Sequence, residues 1–512
     1  MSQPSLSLVD TDPAELAVDA IVIGLHSQPD DGGALLPAAG AESIAAAFEG
    51  KLTSTLALLG ASGAAGEVTK LATLGAIAAP LVVAVGLGDE PSGSAPEPEK
   101  LRRGTGAAVR ALAGSATVAL ALPVPDDQDA PGVLRAILEG ALLGGYRFAG
   151  YKTKPQPQRR VPVAALQVHV PDAADPAAGA EVTRAEVVGR SVRLARDWVN
   201  MAPNELRPPQ FADAVVAAAE GTGLAVEVLD LEELKAAGYG GIVAVGQGSA
   251  APPRLVKLTY VPEGVASPKK IALVGKGITF DTGGISIKPT AGMWEMKSDM
   301  AGAAAIGGAM LAIAALKPPV AVSGYLAMAE NMPSGSAYRP GDVITMFNGK
   351  RVEVFNTDAE GRMVLGDAIA RACEDGAEWV LEASTLTGGQ VVALGKRIAG
   401  LMGSADAVEL IRAAGDKVGE PAWPMPLPEE VRKGMESDIA DICQTNNAMD
   451  RAGHMLQGGV FLREFVTDGV EWAHIDIAGP GYHAGEAAGY WSKGGTGVPL
   501  RTLLQAVDDL SS

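Results

Sequence analysis

Residues 271–289 of this 512-residue chain read IALVGKGITFDTGGISIKP. The apolar run at 270–274 predicts a buried strand, which is followed by Gly275-Lys276-Gly277 and then by Asp281 before two glycines. In open α/β sheets, ligands bind at the carboxyl ends of the strands, where such glycine-rich turns leave room for them. We therefore expect Lys276 and Asp281 to lie at the functional edge of a sheet.

Short apolar strands alternate with amphipathic helices on both sides of a long helical pattern. Such alternation predicts mainly parallel sheets flanked by helices, which is an α/β fold. A chain of 512 residues exceeds the roughly 250–300 at which single cores stop growing, so we predict two domains. They are an N-terminal α/β domain at 1–175, a connecting helix at 176–203 that Pro203 ends, and a larger catalytic domain at 204–512.

Charged side chains recur at element ends in two further segments. MKSDM at 296–300 contains Asp299 before a helix of small residues, and NTDAEGRM at 356–363 contains Asp358, Glu360 and Arg362 before another helix. A single aspartate in a loop is mostly exposed or a helix cap. Four carboxylates that accompany two lysines at glycine-rich positions point instead to a metal site.

The three segments resemble, in their order and spacing, the metal-site segments of the leucyl aminopeptidase family, the di-zinc cytosolic aminopeptidases. NTDAEGRM looks like the signature of that family, and the similarity runs from NMAPNELR at 200–207 to the C-terminus. The first domain resembles the family's N-terminal domain only in general α/β character. The resemblance implies a metal-dependent aminopeptidase that releases N-terminal residues from peptides, preferably leucine and other apolar residues.

The family's functional residues carry over onto matching positions. Lys276, Asp281, Asp299 and Glu360 would hold one metal, whereas Asp281, Asp358 and Glu360 would hold the other. Lys288 and Arg362 would be catalytic without touching a metal. The pocket for the first side chain of the substrate would be formed by Met296, Thr385, Gly388 and Ala478.

The proposed ligands are consistent with two divalent cations. Three aspartates and one glutamate balance the charge of two such ions only if Lys276 binds as an uncharged amine, so its pKa must be lowered by burial and by the neighbouring cation. Two metals can share a hydroxide and polarise a scissile carbonyl, and Lys288 can stabilise the oxyanion that develops there. Zn²⁺, Mn²⁺ and Mg²⁺ all suit this set of ligands.

The matched segments contain no carboxylate that is left over as a general base. The family's solution is a bicarbonate ion bound by Arg362, whose planar guanidinium suits a small oxyanion. The chain has no HExxH, so a histidine-based zinc protease is not indicated. We expect His474 to be a hydrogen-bonded core histidine, and His454 and His483 to lie in loops without an assigned role.

Composition bears on partners and location. The net charge of −19 disfavours nucleic acid and anionic membranes as partners, and two isolated cysteines fit a reducing cytoplasm. The first residues show no secretory signal pattern, and the apolar runs fall short of the roughly 20 residues that span a membrane. We expect a cytoplasmic enzyme that acts on peptides, and the resemblance implies a homohexamer.

Two alternatives remain open at this stage. A two-metal phosphoesterase also uses clustered carboxylates, although only Lys288 and Arg362 are obvious phosphate ligands. A secondary role as a DNA-binding regulator is known among members of the family, and the net charge argues against it as the main function.

Overall fold

The structure is a computed structural model that describes residues 3–28, 34–90, 97–154 and 160–511. The chain divides into two compact units, one of Met1–Arg193 with Gly485–Lys493 and the other of Leu194–Ala484 with Gly494–Ser512. The boundary between the two units, at Arg193, falls within the 25-residue helix Pro176–Asn200. The sequence also predicts a Pro-containing loop at 155–160 and an acidic surface loop at 88–100; most of the first and the middle of the second lie outside the described residues.

The first unit is built on one sheet with a parallel centre. Within the described residues its strands follow the order β1-β7-β6-β2-β5-β4, with β3 paired to β2; β3 and β4 are antiparallel to their neighbours and the other pairs are parallel. Its strands are β1 (Ser5–Val9), β2 (Ala20–Gln28), β3 (Ala34–Pro37), β4 (Val68–Ala72), β5 (Leu81–Asp89), β6 (Thr117–Ala121) and β7 (Ala165–His169). Its helices are α1 (Glu42–Ala47), α2 (Leu52–Leu58), α3 (Pro98–Ala111) and α4 (Ala130–Gly144), and α5 is the boundary helix Pro176–Asn200.

The second unit contains a larger sheet whose central strands are also parallel. Its strands are β8 (Ala225–Leu229), β9 (Arg254–Tyr260), β10 (Lys270–Asp281), β11 (Ala321–Asn331), β12 (Val343–Thr345), β13 (Arg351–Glu353), β14 (Trp379–Ser384), β15 (Ala399–Gly403), β16 (Ala422–Pro424), β17 (Ile442–Cys443), β18 (Glu471–Asp476), β19 (Tyr482–His483) and β20 (Gly494–Gly495). The main sheet has the order β16-β15-β18-β14-β10-β11-β9-β8, and β18, β14, β10 and β11 run parallel.

Helices cover the main sheet of the second unit. They are α6 (Pro208–Ala219), α7 (Leu231–Ala236), α8 (Gly240–Gly246), α9 (Ala301–Leu316), α10 (Gly361–Glu374), α11 (Gly388–Leu394), α12 (Ala405–Val418), α13 (Glu429–Lys433), α14 (His454–Arg463) and α15 (Leu500–Ser511). On one face of the sheet, Val274 and Ile278 of β10 share a buried apolar cluster with Val364 and Ile369 of α10. The α/β fold predicted from strand–helix alternation is confirmed.

One element differs from its prediction in a way that matters for the site. Strand β10 does not end at Val274 but continues to Asp281, in register with β11 as far as Ile278. Gly275 and Gly277 are tolerated within the strand because α9 packs there, where a Cβ at Gly275 would lie 2.7 Å from the Cα of Ala303. Lys276 therefore projects from a buried strand and not from a flexible turn.

The small residues of α9 allow this helix to lie directly on β10 and β14. The helical stretch Met293–Leu316 is long and apolar enough to pass for a membrane span, but 83% of its apolar window is buried inside the structure. The alanines and glycines of α9 thus allow its backbone to approach the backbones of β10 and β14 within the core. The closest approach is at Gly302, where a Cβ would lie 2.1 Å from the carbonyl oxygen of Ala383.

Replacing Gly302 with alanine should destabilise the protein by about 1–3 kcal/mol, because the added methyl group forces α9 away from β14. Alanine is otherwise the better helix former by about 1 kcal/mol, so a loss of stability would report the clash itself. Urea unfolding measures the effect. Gly335→Ala is the matched control, since nothing lies within 4 Å of its Cβ position. Equal stability of the two variants would contradict the proposed close packing.

Candidate active site

The charged residues of the three sequence segments meet at the carboxyl ends of the parallel strands. Lys276 and Asp281 belong to the second half of β10, and Asp299 follows a short 3-10 helix that leads into α9. Asp358 and Glu360 immediately precede α10. Parallel strands deliver their following loops to the same edge of the sheet, which is why segments 60 to 80 residues apart in sequence converge.

The turn after β10 holds Asp281 in a fixed orientation. Gly283 and Gly284 have φ of +84° and +63°, values that favour glycine, and a Cβ at Gly283 would lie 2.8 Å from Oδ1 of Asp358. Oδ1 of Asp281 accepts hydrogen bonds from the backbone N–H of Gly283 at 2.8 Å and from Nδ2 of Asn331 at 2.9 Å. The other carboxylate oxygen, Oδ2, faces the site and lies 2.7 Å from Nζ of Lys288.

Thr357 ties this turn to the segment that bears Asp358 and Glu360. Its buried hydroxyl donates to the carbonyl of Gly283 at 2.7 Å and accepts from the N–H of Ser286 at 2.8 Å. Its carbonyl accepts from Nδ2 of Asn331 at 2.9 Å and from the hydroxyl of Tyr338 at 2.8 Å. Two loops that carry negative side chains are thus held together by neutral hydrogen bonds.

Lys276 lies at the centre of the site and is 2% exposed. Its Nζ is 2.8 Å from Oδ2 of Asp299 and 2.9 Å from Oε1 of Glu360, and it donates to the carbonyl of Thr385 at 3.1 Å. Burial alone would lower the pKa of Lys276, but attraction to Asp299, Glu360 and Asp281 outweighs it and raises that pKa. The expected neutral amine therefore requires a divalent cation beside it, whose repulsion opposes this attraction.

Lys288 contacts the other pair of carboxylates. Its Nζ is 2.7 Å from Oδ2 of Asp281 and also contacts Oδ1 of Asp358. Burial, together with repulsion by Asp281 and Glu360, raises the pKa of Asp358 to about 6, although Lys288 acts in the opposite direction. Each lysine thus bridges two of the clustered carboxylates.

The carboxylates fit a divalent metal centre. Ligand oxygens of Asp281, Asp358 and Glu360 lie within 4.8 Å of one another, and among the described residues they form the one such group. Oε2 of Glu360 is buried without a hydrogen bond from any described residue. Burial and repulsion from Glu360 and Asp281 raise the pKa of Asp299, with Lys276 opposing them. A hard cation would relieve this repulsion and supply the missing partner for Glu360.

Arg362 is positioned at the start of α10 and is 1% exposed. Its Nη1 donates to the carbonyl of Gln444 at 2.7 Å, while its Nε has no hydrogen-bond partner among the described residues. Burial lowers the pKa of Arg362 to about 10, opposed by Glu360 and Asp476, so the guanidinium stays charged at neutral pH. A buried cation with an unused donor is suited to bind a small anion.

Gln444 connects Arg362 to the segment that bears Asp358 and Glu360. Its side-chain oxygen accepts from the N–H of Asn356 at 3.1 Å and of Phe355 at 3.3 Å, and its amide donates to the carbonyl of Ala359 at 3.0 Å. One buried side chain therefore fixes the backbone on both sides of Asp358. The sequence offered no sign of this role, because Gln444 lies about 80 residues beyond the NTDAEGRM segment.

The predicted site residues all line one cleft of about 710 Å³ in the second unit. Met296, Thr385, Gly388 and Ala478, expected to form the substrate pocket, line it together with the seven charged residues. A second group was not predicted from the sequence, because it matches none of the three segments and depends on how a loop folds. We call this group the loop wall, and it consists of Thr445, Met449, Asp450, Arg451, His454 and Gln457.

The prediction for His474 is confirmed, whereas those for His454 and His483, which were expected in loops, are wrong. His474 is buried in β18 with its Nδ1 against the carboxylate of Glu382 on β14, as a hydrogen-bonded core histidine should be. His454 is not in a loop but begins α14, and its side chain lines the cleft. His483 is part of the short strand β19. The helix that begins at His454 was missed because the residue before it, Gly453, is one that usually belongs to a loop.

Comparison with protein-family models gives two matches. A model described as the cytosol aminopeptidase family, catalytic domain, matches residues 193–504. A model described as the N-terminal domain of the same family matches residues 22–155. Together the two matches span most of the chain. They include the N-terminal domain, which in its sequence resembles the family only in general α/β character.

Similar proteins and structures agree with these matches. Proteins described as probable cytosol aminopeptidases are 48% identical over 512 residues in Streptomyces avermitilis, covering 98% of each chain, and 47% identical in Micrococcus luteus, covering 96% of each. The bottromycin maturation enzyme BotP in complex with Mn superposes with a TM-score of 0.84 at 35% identity, over 97% of this chain and 100% of BotP. A mutant of tomato leucine aminopeptidase gives 0.86 at 29% identity, over 99% and 97%.

Replacing Gln444 with methionine should reduce the free energy of unfolding by about 1–3 kcal/mol, because it leaves two N–H groups and a carbonyl buried without partners. Urea unfolding followed by circular dichroism measures the change. Gln247→Met serves as control, since Gln247 is exposed and its side chain makes no hydrogen bond with the described residues. If both variants unfold at the same urea concentration, Gln444 does not support the metal-binding segment.

Proposed function

The chain belongs to the cytosol aminopeptidase family, and on that premise we propose that it is a two-metal aminopeptidase that releases leucine and other apolar residues from the N-termini of peptides. The observation that carries the proposal is the group formed by Asp281, Asp358 and Glu360, whose oxygens lie within 4.8 Å of one another in a cleft that Lys276 and Arg362 also line.

Two divalent metal ions would be held by Lys276, Asp281, Asp299, Asp358 and Glu360. Bound there, they would supply Lewis acidity toward the scissile carbonyl and an activated water. Zn²⁺, Mn²⁺ and Mg²⁺ are the candidate ions, and the name of one similar structure reports a complex with Mn. The lone pair of Lys276 becomes available as a ligand only when this lysine gives up its proton, which the raised pKa described above opposes until a cation is present.

Lys288 and Arg362 would act on the substrate and on a bound anion. Lys288 reaches two of the metal-binding carboxylates with its Nζ, so its ammonium lies close enough to stabilise negative charge on the carbonyl oxygen. Arg362 has an unused donor in a buried position, which supports bicarbonate as its ligand and as the group that accepts a proton.

The cleft also supports cleavage at the N-terminal residue. A free α-amine can bind next to the carboxylates while the adjacent carbonyl meets Lys288, and internal peptide bonds lack this amine. Met296, Thr385, Gly388 and Ala478 would surround the first side chain. An apolar pocket discriminates by only about 1–3 kcal/mol per methylene, so a broad preference centred on leucine is expected.

Further parts of the proposal rest on the family. We expect a homohexamer in the cytoplasm with peptides as substrates, in line with the word cytosol in the names of the relatives. We do not assign a membrane partner. A secondary role in DNA binding is disfavoured by the net charge of −19.

Hydrolysis of leucine p-nitroanilide should require Mn²⁺ or Zn²⁺, because the carboxylates need the cations to form a working site. We expect activity to disappear after chelation and to return when either ion is added back, while p-nitrophenyl phosphate is not hydrolysed. Metal analysis of the protein before and after chelation gives the stoichiometry. Hydrolysis of the phosphate ester without hydrolysis of the anilide would favour a phosphoesterase and reject the proposal.

Replacing Lys288 with alanine should lower kcat by about 10²–10³-fold with both metals retained, since its role is to stabilise the oxyanion. Glu360→Ala should instead lose metal together with activity, because Glu360 would bridge both ions. Steady-state kinetics and metal content measured on the same samples separate the two roles. Loss of metal from Lys288→Ala would show that Lys288 has been assigned wrongly.

A further inference from the structure

The loop wall brings two nitrogen-bearing side chains to the cleft, Arg451 and His454, that the proposed mechanism does not use. It is formed by the segment before α14 and by the first turn of that helix, and its charged members are Asp450 and Arg451. None of its residues belongs to the predicted pocket of Met296, Thr385, Gly388 and Ala478, although His454 lies beside Gly389. If these four residues hold the first side chain, the part of the substrate beyond the scissile bond must lie against what remains of the cleft, which includes the loop wall.

Gln457 gives this loop a defined shape. Its buried amide donates to the carbonyls of Asp450 at 2.9 Å and Ala452 at 3.0 Å, and its side-chain oxygen accepts from the N–H of Asn446 at 3.1 Å. The segment is therefore held to α14 at both ends. A subsite built on such a loop can be preorganised and does not have to form around the ligand.

The cation on this wall is unused within the described part of the protein. Arg451 is exposed and lines the cleft, and its guanidinium makes no ion pair or hydrogen bond with any described residue. The neighbouring Asp450 forms no ion pair with Arg451 in the described part of the chain, and its carboxylate accepts from the N–H of Ala452 at 2.9 Å. Arg451 thus offers its full set of donors to a ligand in the cleft.

His454 lies three residues beyond Arg451 and remains uncharged. Burial lowers the pKa of His454 to about 4, and repulsion by Arg362, Arg451 and Lys288 acts in the same direction. The neutral ring has no hydrogen-bond partner among the described residues, so it can donate an N–H to an acceptor. The three cations contribute a positive potential at His454, which the carboxylates that line the same cleft, Asp450 among them, offset in part.

The start of α14 adds to this potential. Gly453 caps the helix with φ of +60° and provides no side-chain acceptor for its first N–H groups. The ten-residue helix therefore presents its positive end on the same wall as Arg451 and His454.

We propose that Arg451 and His454 form a subsite for a carboxylate on the leaving part of the substrate. The carboxylate comes either from the C-terminus of a dipeptide or from an acidic second residue. The inference rests on the proposed aminopeptidase function and adds a preference on the far side of the scissile bond. Binding there pairs Arg451 and His454 without disturbing the metal-binding residues.

The experiment compares substrates that differ by one charge. Leu-Gly is tested against Leu-Gly amide for the terminal carboxylate, and Leu-Asp amide against Leu-Asn amide for the side chain. We expect the anionic member of at least one pair to have a kcat/KM about tenfold higher, mainly through a lower KM, and the ratio to fall as salt screens the interaction. The pair that shows the difference identifies the source of the carboxylate.

Arg451→Gln should reduce the ratio of kcat/KM between the anionic and the neutral substrate to near one. Arg451→Lys should give an intermediate ratio, because the positive charge remains but the planar guanidinium is lost. His454→Leu should lower the ratio by a smaller factor. Arg339→Gln is the control, since Arg339 is an exposed arginine that pairs with Asp342 and does not line the cleft; this variant should keep the ratio of the unmodified protein.

Two results would overturn the inference. One is equal kcat/KM for both members of each pair in the unmodified protein, and the other is an unchanged ratio in Arg451→Gln. In both of these, peptide cleavage itself persists and the proposed function stands. Absence of cleavage of all four peptides in the presence of Mn²⁺ or Zn²⁺ would instead reject the proposed function, and the inference with it.

Discussion

The site depends on the proximity of several carboxylates that are largely removed from water. Like charges at this distance repel strongly where solvent does not screen them, and a buried carboxylate without a partner is costly. The structure meets this constraint with Lys276 between Asp299 and Glu360 and with Lys288 between Asp281 and Asp358. An ammonium ion offers one positive charge where a divalent cation offers two, so divalent cations among these oxygens would offset the repulsion more fully than the two lysines do.

Much of the surrounding fold can be understood as support for that arrangement. Glycine at 302 brings α9 against β14, and Gly361 leaves space for Lys276, whose Nζ would lie 2.6 Å from a Cβ at this position. Thr357 and Gln444 then fix the metal-binding segment through uncharged hydrogen bonds. Uncharged hydrogen bonds suit this role because they hold the backbone in place without adding charge to the site and without occupying the oxygens of the clustered carboxylates.

The sequence predicted the α/β fold and the family well, because both depend on local patterns. Apolar runs report strands wherever they are buried, and the three charged segments are each contiguous, so their resemblance to the family was sufficient and is confirmed by the family models. The extension of β10 to Asp281 was missed, since glycines usually end a strand and are tolerated here only because α9 lies against them. Gln444, Arg451 and His454 were missed for a related reason. Their roles arise from a loop that reaches the site through tertiary contacts and shares no pattern with it.

The loop wall changes how the overall acidity of the protein should be interpreted. A net charge of −19 describes the average surface and predicts weak binding to polyanions, but it does not set the potential inside a cleft. There the clustered carboxylates of Asp281, Asp358 and Glu360 share the space with Arg362, Arg451 and the start of α14. On the proposed function and subsite, a peptide would bind with its amine toward the clustered carboxylates and any carboxylate of its own toward Arg451. These opposite charges would therefore orient a short peptide along its length before either end makes a specific contact.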